Sequence, residues 1–193
     1  MKNINAILTA GMLCMSLAVS AQNITFAYVD YTELVQLMPE MDAAREQIEA
    51  ASVEAQETYQ AMMEEYQSKA QQFQQKQASW TQAIRESKAA ELQQIEYRIQ
   101  DFQQAIQQEL QQTQQTLQAP IYEKAQKAVT DLAKAKGVAF VFEKSSMLYI
   151  DPAQAIDLTP DARKALNIPE GRTIESLQAE LQAKAQAAQA NAQ

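Results

Sequence analysis

The chain has 193 residues, with 16 basic and 24 acidic side chains and a formal net charge of −8 at pH 7. It contains no His and a single Cys, so it lacks the commonest general base, the commonest metal ligand and any intrachain disulfide. This composition argues against His-dependent enzymes and Cys-based zinc sites, and the acidic balance argues against nonspecific nucleic-acid binding. We expect no catalytic, cofactor-binding or metal site.

Residues 1–21 have the layout of a cleavable secretory signal peptide. Lys2 is followed by an apolar run over residues 7–19, which is too short to span a bilayer comfortably. Residues 18–21 then place small or modest side chains at the −3 and −1 positions of a cleavage site. We predict cleavage after Ala21 and export of the mature chain from the cytoplasm. A buried core helix is the alternative interpretation of the apolar run. Cys14 is expected to leave with the signal, because the residues before it match a lipoprotein signal poorly.

A strand and a short helix are the first predicted elements of the mature chain. β-prone residues alternate over residues 24–30, which predicts a strand that is buried on at least one side. Asp30 is placed to cap the following helix, Tyr31–Leu37, and Glu33 three residues later would complete a capping box. Pro39 interrupts this helix.

A long helical region is predicted next, since residues 40–136 contain no Gly and one Pro, Pro120. Apolar or small residues recur there at steps of mostly three and four, in two series typical of narrow coiled-coil seams. The first series is Met41, Ala44, Ile48, Ala51, Ala55, Tyr59, Met62, Tyr66, Ala70, Phe73, Trp80 and Ile84. The second series is Leu92, Ile95, Ile99, Phe102, Ile106, Leu110, Thr113 and Leu117.

Two seams of similar length predict an antiparallel coiled-coil hairpin over residues 41–119, with its turn near residues 83–90 if the arms are equal. Each arm of about 45 residues would then be roughly 65 Å long. The Gln-rich runs between the seams are also compatible with low-complexity disorder, but disordered Gln tracts do not need an apolar period.

The returning helix is expected to kink or restart at Pro120, which lacks a backbone donor and clashes with the preceding turn. Gly137 is predicted to end it as a left-handed C-cap. Two β-prone runs follow, at residues 138–143 and 147–151, and the short loop between them predicts a β-hairpin.

A last short helix is predicted to start at Thr159-Pro160-Asp161, with Thr159 as its cap, and to end near Asn167. The Ala- and Gln-rich tail, residues 169–193, is expected to be partly disordered. The fold class is thus mainly α with a small β body: a long antiparallel helical hairpin on a small α/β oligomerisation body of residues 22–40 and 120–168. Three strands and short helices make a poor monomeric core, so we expect an oligomer.

This order of elements resembles the Skp/OmpH family of periplasmic outer-membrane-protein chaperones. The residues that carry the resemblance are Ile24-Thr25-Phe26-Ala27-Tyr28-Val29-Asp30 with Leu34-Val35, then Gly137-Val138-Ala139-Phe140-Val141-Phe142, and finally Asp157-Leu158-Thr159-Pro160-Asp161. The resemblance implies a jellyfish-shaped homotrimer in the periplasm, with intersubunit β-strands in its body and three helical tentacles around a cavity. It also implies that the cavity holds unfolded outer-membrane proteins without ATP.

Two features of this chain depart from that family. Its best-known members are basic, with positive tentacles, whereas this chain is acidic. The lipopolysaccharide-binding site of some members is not carried over, because no basic cluster here matches it.

Three apolar residues of the hairpin lie off the seams and are the candidate client-contacting residues: Val53, Met63 and Tyr97. A holdase needs many weak contacts with exposed apolar segments, and adaptable side chains such as Met and Tyr suit them. Residues on the seams are instead expected to pack within the hairpin.

The predicted function is that of an ATP-independent periplasmic holdase that binds unfolded outer-membrane β-barrel proteins between the tentacles of an oligomer, a trimer by resemblance. The alternative is an exported coiled-coil scaffold of the cell envelope, which would bind one defined partner. Neither interpretation involves nucleic acid, a cofactor or stable insertion into the membrane.

Overall fold

The computed structural model describes residues 25–191, so the predicted signal peptide and the start of the predicted first strand at Ile24 lie outside the described residues. In chain order the elements are β1 (Phe26–Val29), α1 (Tyr31–Leu37), α2 (Pro39–Lys76), α3 (Gln82–Ala135), β2 (Phe140–Glu143), β3 (Ala155–Asp157), α4 (Thr159–Ala165) and α5 (Ile174–Asn191). Long helices joined to a small sheet confirm the predicted mainly α fold class.

The strands form one parallel sheet in the order β2-β1-β3. Phe26 of β1 pairs with Phe140 of β2 on one side and with Ala155 of β3 on the other. The predicted β-hairpin is therefore wrong, and in this described region residues 147–151 form no strand. Two strands that are both parallel to β1 cannot be joined by a tight turn, because the chain must first return to the end of the sheet at which the strands begin. Residues 144–154 make that return, although part of the segment is β-prone.

The core lies on the face of the sheet that carries Ala27 and Val29, which are 1% and 3% exposed. Helices α1, α3 and α4 cover it, and α5 adds Leu177. Its most deeply buried large side chains are Leu34, Leu37, Met38, Leu158 and Leu166. Burying each such side chain contributes about 1.5–3 kcal/mol relative to leaving it in water.

Helix α1 begins and ends where the sequence predicts, but its capping box is only half formed. Asp30 Oδ1 accepts a hydrogen bond from the backbone N–H of Glu33 at 3.0 Å, as expected for the cap. The Glu33 carboxylate does not complete the box, because it forms an ion pair with Arg163 of helix α4. The backbone N–H of Asp30 donates instead to Thr159 Oγ1 at 3.0 Å. The predicted capping role of Thr159 in α4 is thus wrong, since its hydroxyl ties the end of β1 to α4.

Helix α3 is continuous from Gln82 to Ala135 with Pro120 inside it, so the predicted restart at Pro120 did not occur. Beyond the Pro, buried residues recur every fourth position and face the body: Ile121, Ala125, Val129 and Ala133. Gly137 ends the helix with φ of +64°, which confirms the left-handed C-cap. The N–H of Val138 donates to Ala133 O at 2.9 Å and that of Gly137 to Lys134 O at 3.1 Å, which is the Schellman arrangement.

The C-terminal tail is helical from Ile174 to Asn191, where the sequence predicts partial disorder. Thr173 Oγ1 accepts from the N–H of Ser176, and Ser176 Oγ accepts from the N–H of Thr173, so the helix has a reciprocal cap. Leu177 is 4% exposed, and Arg172 Nη2 lies 2.7 Å from Asp42 Oδ1 at the start of α2. These contacts hold the start of the tail helix against the body, which the low apolar content of the tail did not predict.

Candidate functional site

The most prominent feature outside the body is the arm formed by α2 and α3. At 38 residues, α2 extends for about 57 Å. The pairs Glu40–Lys124 and Glu65–Arg98 join the two helices in antiparallel register. The arm is therefore a two-helix structure that projects from the body and has no other element beside most of its length in the described residues.

The tip of the arm lies at residues 77–81, several residues before the predicted turn at 83–90. Ser79 Oγ donates to Lys76 O at 2.8 Å, and Thr81 Oγ1 accepts from the N–H of Ile84 at 3.4 Å as the N-cap of α3. Trp80 packs edge-on against Phe73, with ring centroids 5.7 Å apart. The predicted turn was placed at the midpoint of two arms of equal length, but α3 is longer than α2 because it continues into the body. The turn therefore comes earlier in the chain. Ser79 and Thr81, which cap the helix ends, were the local signal for its position.

Polar contacts between the helices concentrate in the upper arm, the half nearer the tip. Tyr66 Oη donates to Glu96 Oε1 at 2.5 Å, Arg98 Nη2 lies 2.9 Å from Glu65 Oε2, and Lys69 pairs with Glu91. Hydrogen bonds from Lys69 and then Lys88 lower the pKa of Glu91 to about 2. The hydrogen bond to Glu96 raises the pKa of Tyr66. These contacts fix the register of the two helices at exposed or half-exposed positions, where each pair adds little stability.

The lower arm, defined here as residues 46–64 of α2 and 99–117 of α3, contains no Lys or Arg. Its helices are held together by the apolar seam, and two helices cannot enclose that seam. Higher up, Ile95 is 2% exposed, but in the lower arm most of the seam is only half-buried. The half-buried side chains include Tyr59, Phe102, Ile106 and Leu110.

Two open grooves run beside the seam of the lower arm and share Phe102, Ile106 and Leu110 as their floor. One is bordered by Gln56, Gln103 and Gln107, and we call it the neutral groove. The other is bordered by Glu54, Thr58, Glu109 and Thr113, and we call it the acidic groove. Sequence reasoning assigned these floor residues to packing within the hairpin. The sequence did hold a signal for the grooves, because a single helical partner leaves the edges of a seam open.

The three candidate client-contacting residues are not brought together into one site. Val53 is 50% exposed in the lower arm, next to Ala50 and among glutamates. Tyr97 is 69% exposed and lies on α3 in the upper arm, while Met63 on α2 is half-buried. Their accessibility permits contact with another molecule, and their role in client binding stays a prediction.

A second apolar surface lies on the body, on the sheet face opposite the core. Phe26, Phe140 and Phe142 are 43%, 53% and 42% exposed, and their ring centroids are 6.0–6.4 Å apart. Leu148 and Tyr149, in the return from β2 to β3, are also exposed. We call the three phenylalanines the aromatic face. Sequence analysis predicted association through the body but did not identify these rings, although alternation in Phe140–Glu143 was a signal for them.

Residues 25–191 show no feature of a metal site or a membrane span. No cluster of three or more His, Cys, Asp and Glu side chains in this part of the chain is arranged to hold a metal ion. Among its helices, none combines the length and the apolar character needed to cross a bilayer.

The comparisons with known proteins agree with this architecture. The family described as outer membrane protein (OmpH-like) matches residues 25–166, which leaves α5 outside the matched region. A crystal structure of an OmpH-like protein from Caulobacter crescentus CB15, assigned there as an outer membrane chaperone, is similar with a TM-score of 0.66 and 17% identity. The similarity covers 74% of this chain and 83% of that one, and it establishes the shared fold. No curated protein matches the chain significantly.

Proposed function

The chain belongs to the family described as outer membrane protein (OmpH-like), and we propose that it is an ATP-independent holdase that binds unfolded outer-membrane β-barrel proteins in the periplasm. Family membership supports a chaperone role, and the structure supports binding rather than catalysis. The observation that carries the proposal is the half-buried apolar seam of the lower arm, open along two grooves.

The physical basis of the holdase is a set of weak contacts that does not require one client sequence. Each groove offers a few aromatic and aliphatic side chains, such as Phe102 and Ile106, to apolar segments of an unfolded chain. Val53 adds an exposed contact on the outside of the lower arm, and Tyr97 adds one in the upper arm. Several arms acting on one client would raise the overall affinity through effective concentration without any tight single site.

We further propose that the body assembles copies into a homotrimer whose arms surround a cavity. The aromatic face supports this, because three adjacent Phe rings in contact with water are an unfavourable surface for a monomer. The strands β2 and β3 also leave their outer edges open in the described protomer. A neighbouring copy that covered this region would bury both the rings and the open edges.

The proposal is tested by adding the purified protein to a urea-unfolded β-barrel protein and diluting the urea. Suppressed aggregation at stoichiometric amounts, without ATP, is the expected result. A protein that leaves aggregation unchanged, yet captures one folded partner from an envelope extract, would support the alternative scaffold. The matched variants are Phe102→Ser with Ile106→Ser in the grooves and, as a control, Ala183→Ser with Ala187→Ser in the exposed part of α5. Circular dichroism checks that both variants remain helical.

A further inference from the structure

The charge of the arm is segregated along its length. The lower arm carries seven acidic residues and no basic one: Glu46, Glu49, Glu54, Glu57, Glu64, Asp101 and Glu109. All six basic residues of positions 41–119 lie outside it, five of them toward the tip. Within residues 25–191 one of these acids lies near a cation: Lys184 Nζ of α5 is 3.8 Å from Glu46 Oε1. The apolar grooves therefore lie where the arm has only negative charge.

The acids are not evenly distributed around the grooves. Glu54 and Glu109 border the acidic groove from opposite helices, whereas the neutral groove is bordered by Gln side chains over the same floor. Glu54 also borders the adjoining surface of α2 that carries Val53, so the acidic groove continues onto the outside of that helix. The same apolar floor therefore has an acidic groove on one side and a neutral groove on the other.

We propose that the acidic groove selects client segments in which apolar residues alternate with Lys or Arg. This inference rests on the proposed holdase function and names the clients that its arms prefer. A Lys or Arg stem can lie along Phe102 and Ile106 while its charged end remains in water near Glu54 or Glu109. An acidic segment of equal apolar content would meet like charges on both sides. Complementary charge of this kind sets specificity and association rate more than affinity.

The experiment compares two synthetic peptides that share every apolar residue and differ only in having Lys or Glu at the intervening positions. Binding of each labelled peptide to the purified protein is followed by fluorescence anisotropy. The Lys peptide is expected to bind about tenfold more tightly at low ionic strength, since it exchanges repulsion by Glu54 and Glu109 for attraction to them. The difference should shrink as added salt screens the exposed charges.

Matched variants separate the groove from the overall charge. Glu54→Gln with Glu109→Gln removes two charges from the acidic groove. Glu123→Gln with Glu170→Gln removes two exposed charges elsewhere, and neither residue forms an ion pair within residues 25–191. The groove variant should lose most of the preference for the Lys peptide, and the control variant should keep it.

Equal affinity for the two peptides would overturn the inference, as would equal losses in the two double variants, and both outcomes would leave the holdase proposal standing. Failure to bind either peptide, together with no suppression of client aggregation, would overturn the holdase proposal as well. Because all four positions are exposed or at the groove edge, Gln is expected to leave folding intact, and circular dichroism verifies this.

Discussion

Substitution of Phe140 by Ala should weaken association of the body while leaving the protomer folded. Phe140 is the first residue of β2, is 53% exposed and stacks on Phe26 at a centroid distance of 6.0 Å. Its backbone pairing with β1 does not depend on the ring. The ring therefore contributes little to the protomer core but would be covered in an oligomer assembled through the aromatic face.

The exposed area gives the size of the effect. About half of a Phe side chain of roughly 200 Å² corresponds to about 100 Å² that contact between copies could bury, or about 2.5 kcal/mol at about 25 cal/mol per Å². Ala keeps part of this area, so the expected loss is about 2 kcal/mol per copy. That loss corresponds to roughly thirtyfold weaker association per copy.

Sedimentation velocity over a range of concentrations measures this shift directly. Dissociation of Phe140→Ala at concentrations where the unmodified protein stays assembled is the expected result. Tyr97→Ala is the matched control, because Tyr97 is a more exposed aromatic residue that lies on the arm. Unchanged association of Phe140→Ala, or an equal shift for Tyr97→Ala, would refute the assignment of the aromatic face.

Three further predictions concern the core, the arm and the tail. Leu34→Ala should lower the free energy of unfolding by about 2–5 kcal/mol in urea titrations, because Leu34 is fully buried, and a loss below about 1 kcal/mol would contradict the assigned core. The pKa of Glu91 is lowered in the folded state to about 2, so its stabilising contribution is present above about pH 4.5 and is lost as the pH falls toward 2. Thermal melts of Glu91→Gln should therefore depend less on pH in this window than those of the unmodified protein, and parallel profiles would disprove the contribution. Arg172→Ala should speed amide hydrogen exchange in Ile174–Asn191 and leave α2 and α3 unchanged, since Arg172 pairs with Asp42; equal rates in the tail would exclude this role for the ion pair.

The sequence was most informative where local rules and burial agree. The absence of Gly and the spacing of residues such as Ile95 and Ile99 predicted the paired helices, and both residues are buried between them. Asp30 and Gly137 were recognisable because caps depend on a few neighbouring atoms. The open grooves required one more step: counting how much of a seam one partner helix can cover.

The sheet was less predictable because its pairing depends on residues far apart in the chain. Met147-Leu148-Tyr149-Ile150 is β-prone and follows β2 closely, so local reasoning paired it with β2. In the fold, β1 occupies the centre of the sheet and accepts a strand on each side, and β3 begins only at Ala155. Thr159 illustrates the same difficulty. Its hydroxyl accepts a hydrogen bond from the N–H of Asp30, which lies 129 residues earlier in the chain.

Parallel pairing of β1 with β2 also explains the unequal lengths of the two long helices. β1 leads toward the arm, so the chain must return beyond the start of α2 before β2 can begin beside Phe26. Lys124 pairs with Glu40 at the start of α2, and residues 125–135 of α3 continue for about 16 Å past that point. A strand of four residues such as β1 spans about 13 Å, so this extension matches the height of the sheet that α3 covers. An antiparallel hairpin of any length returns the chain to the same place. The body therefore constrains the last turns of α3 but not the length of the arm.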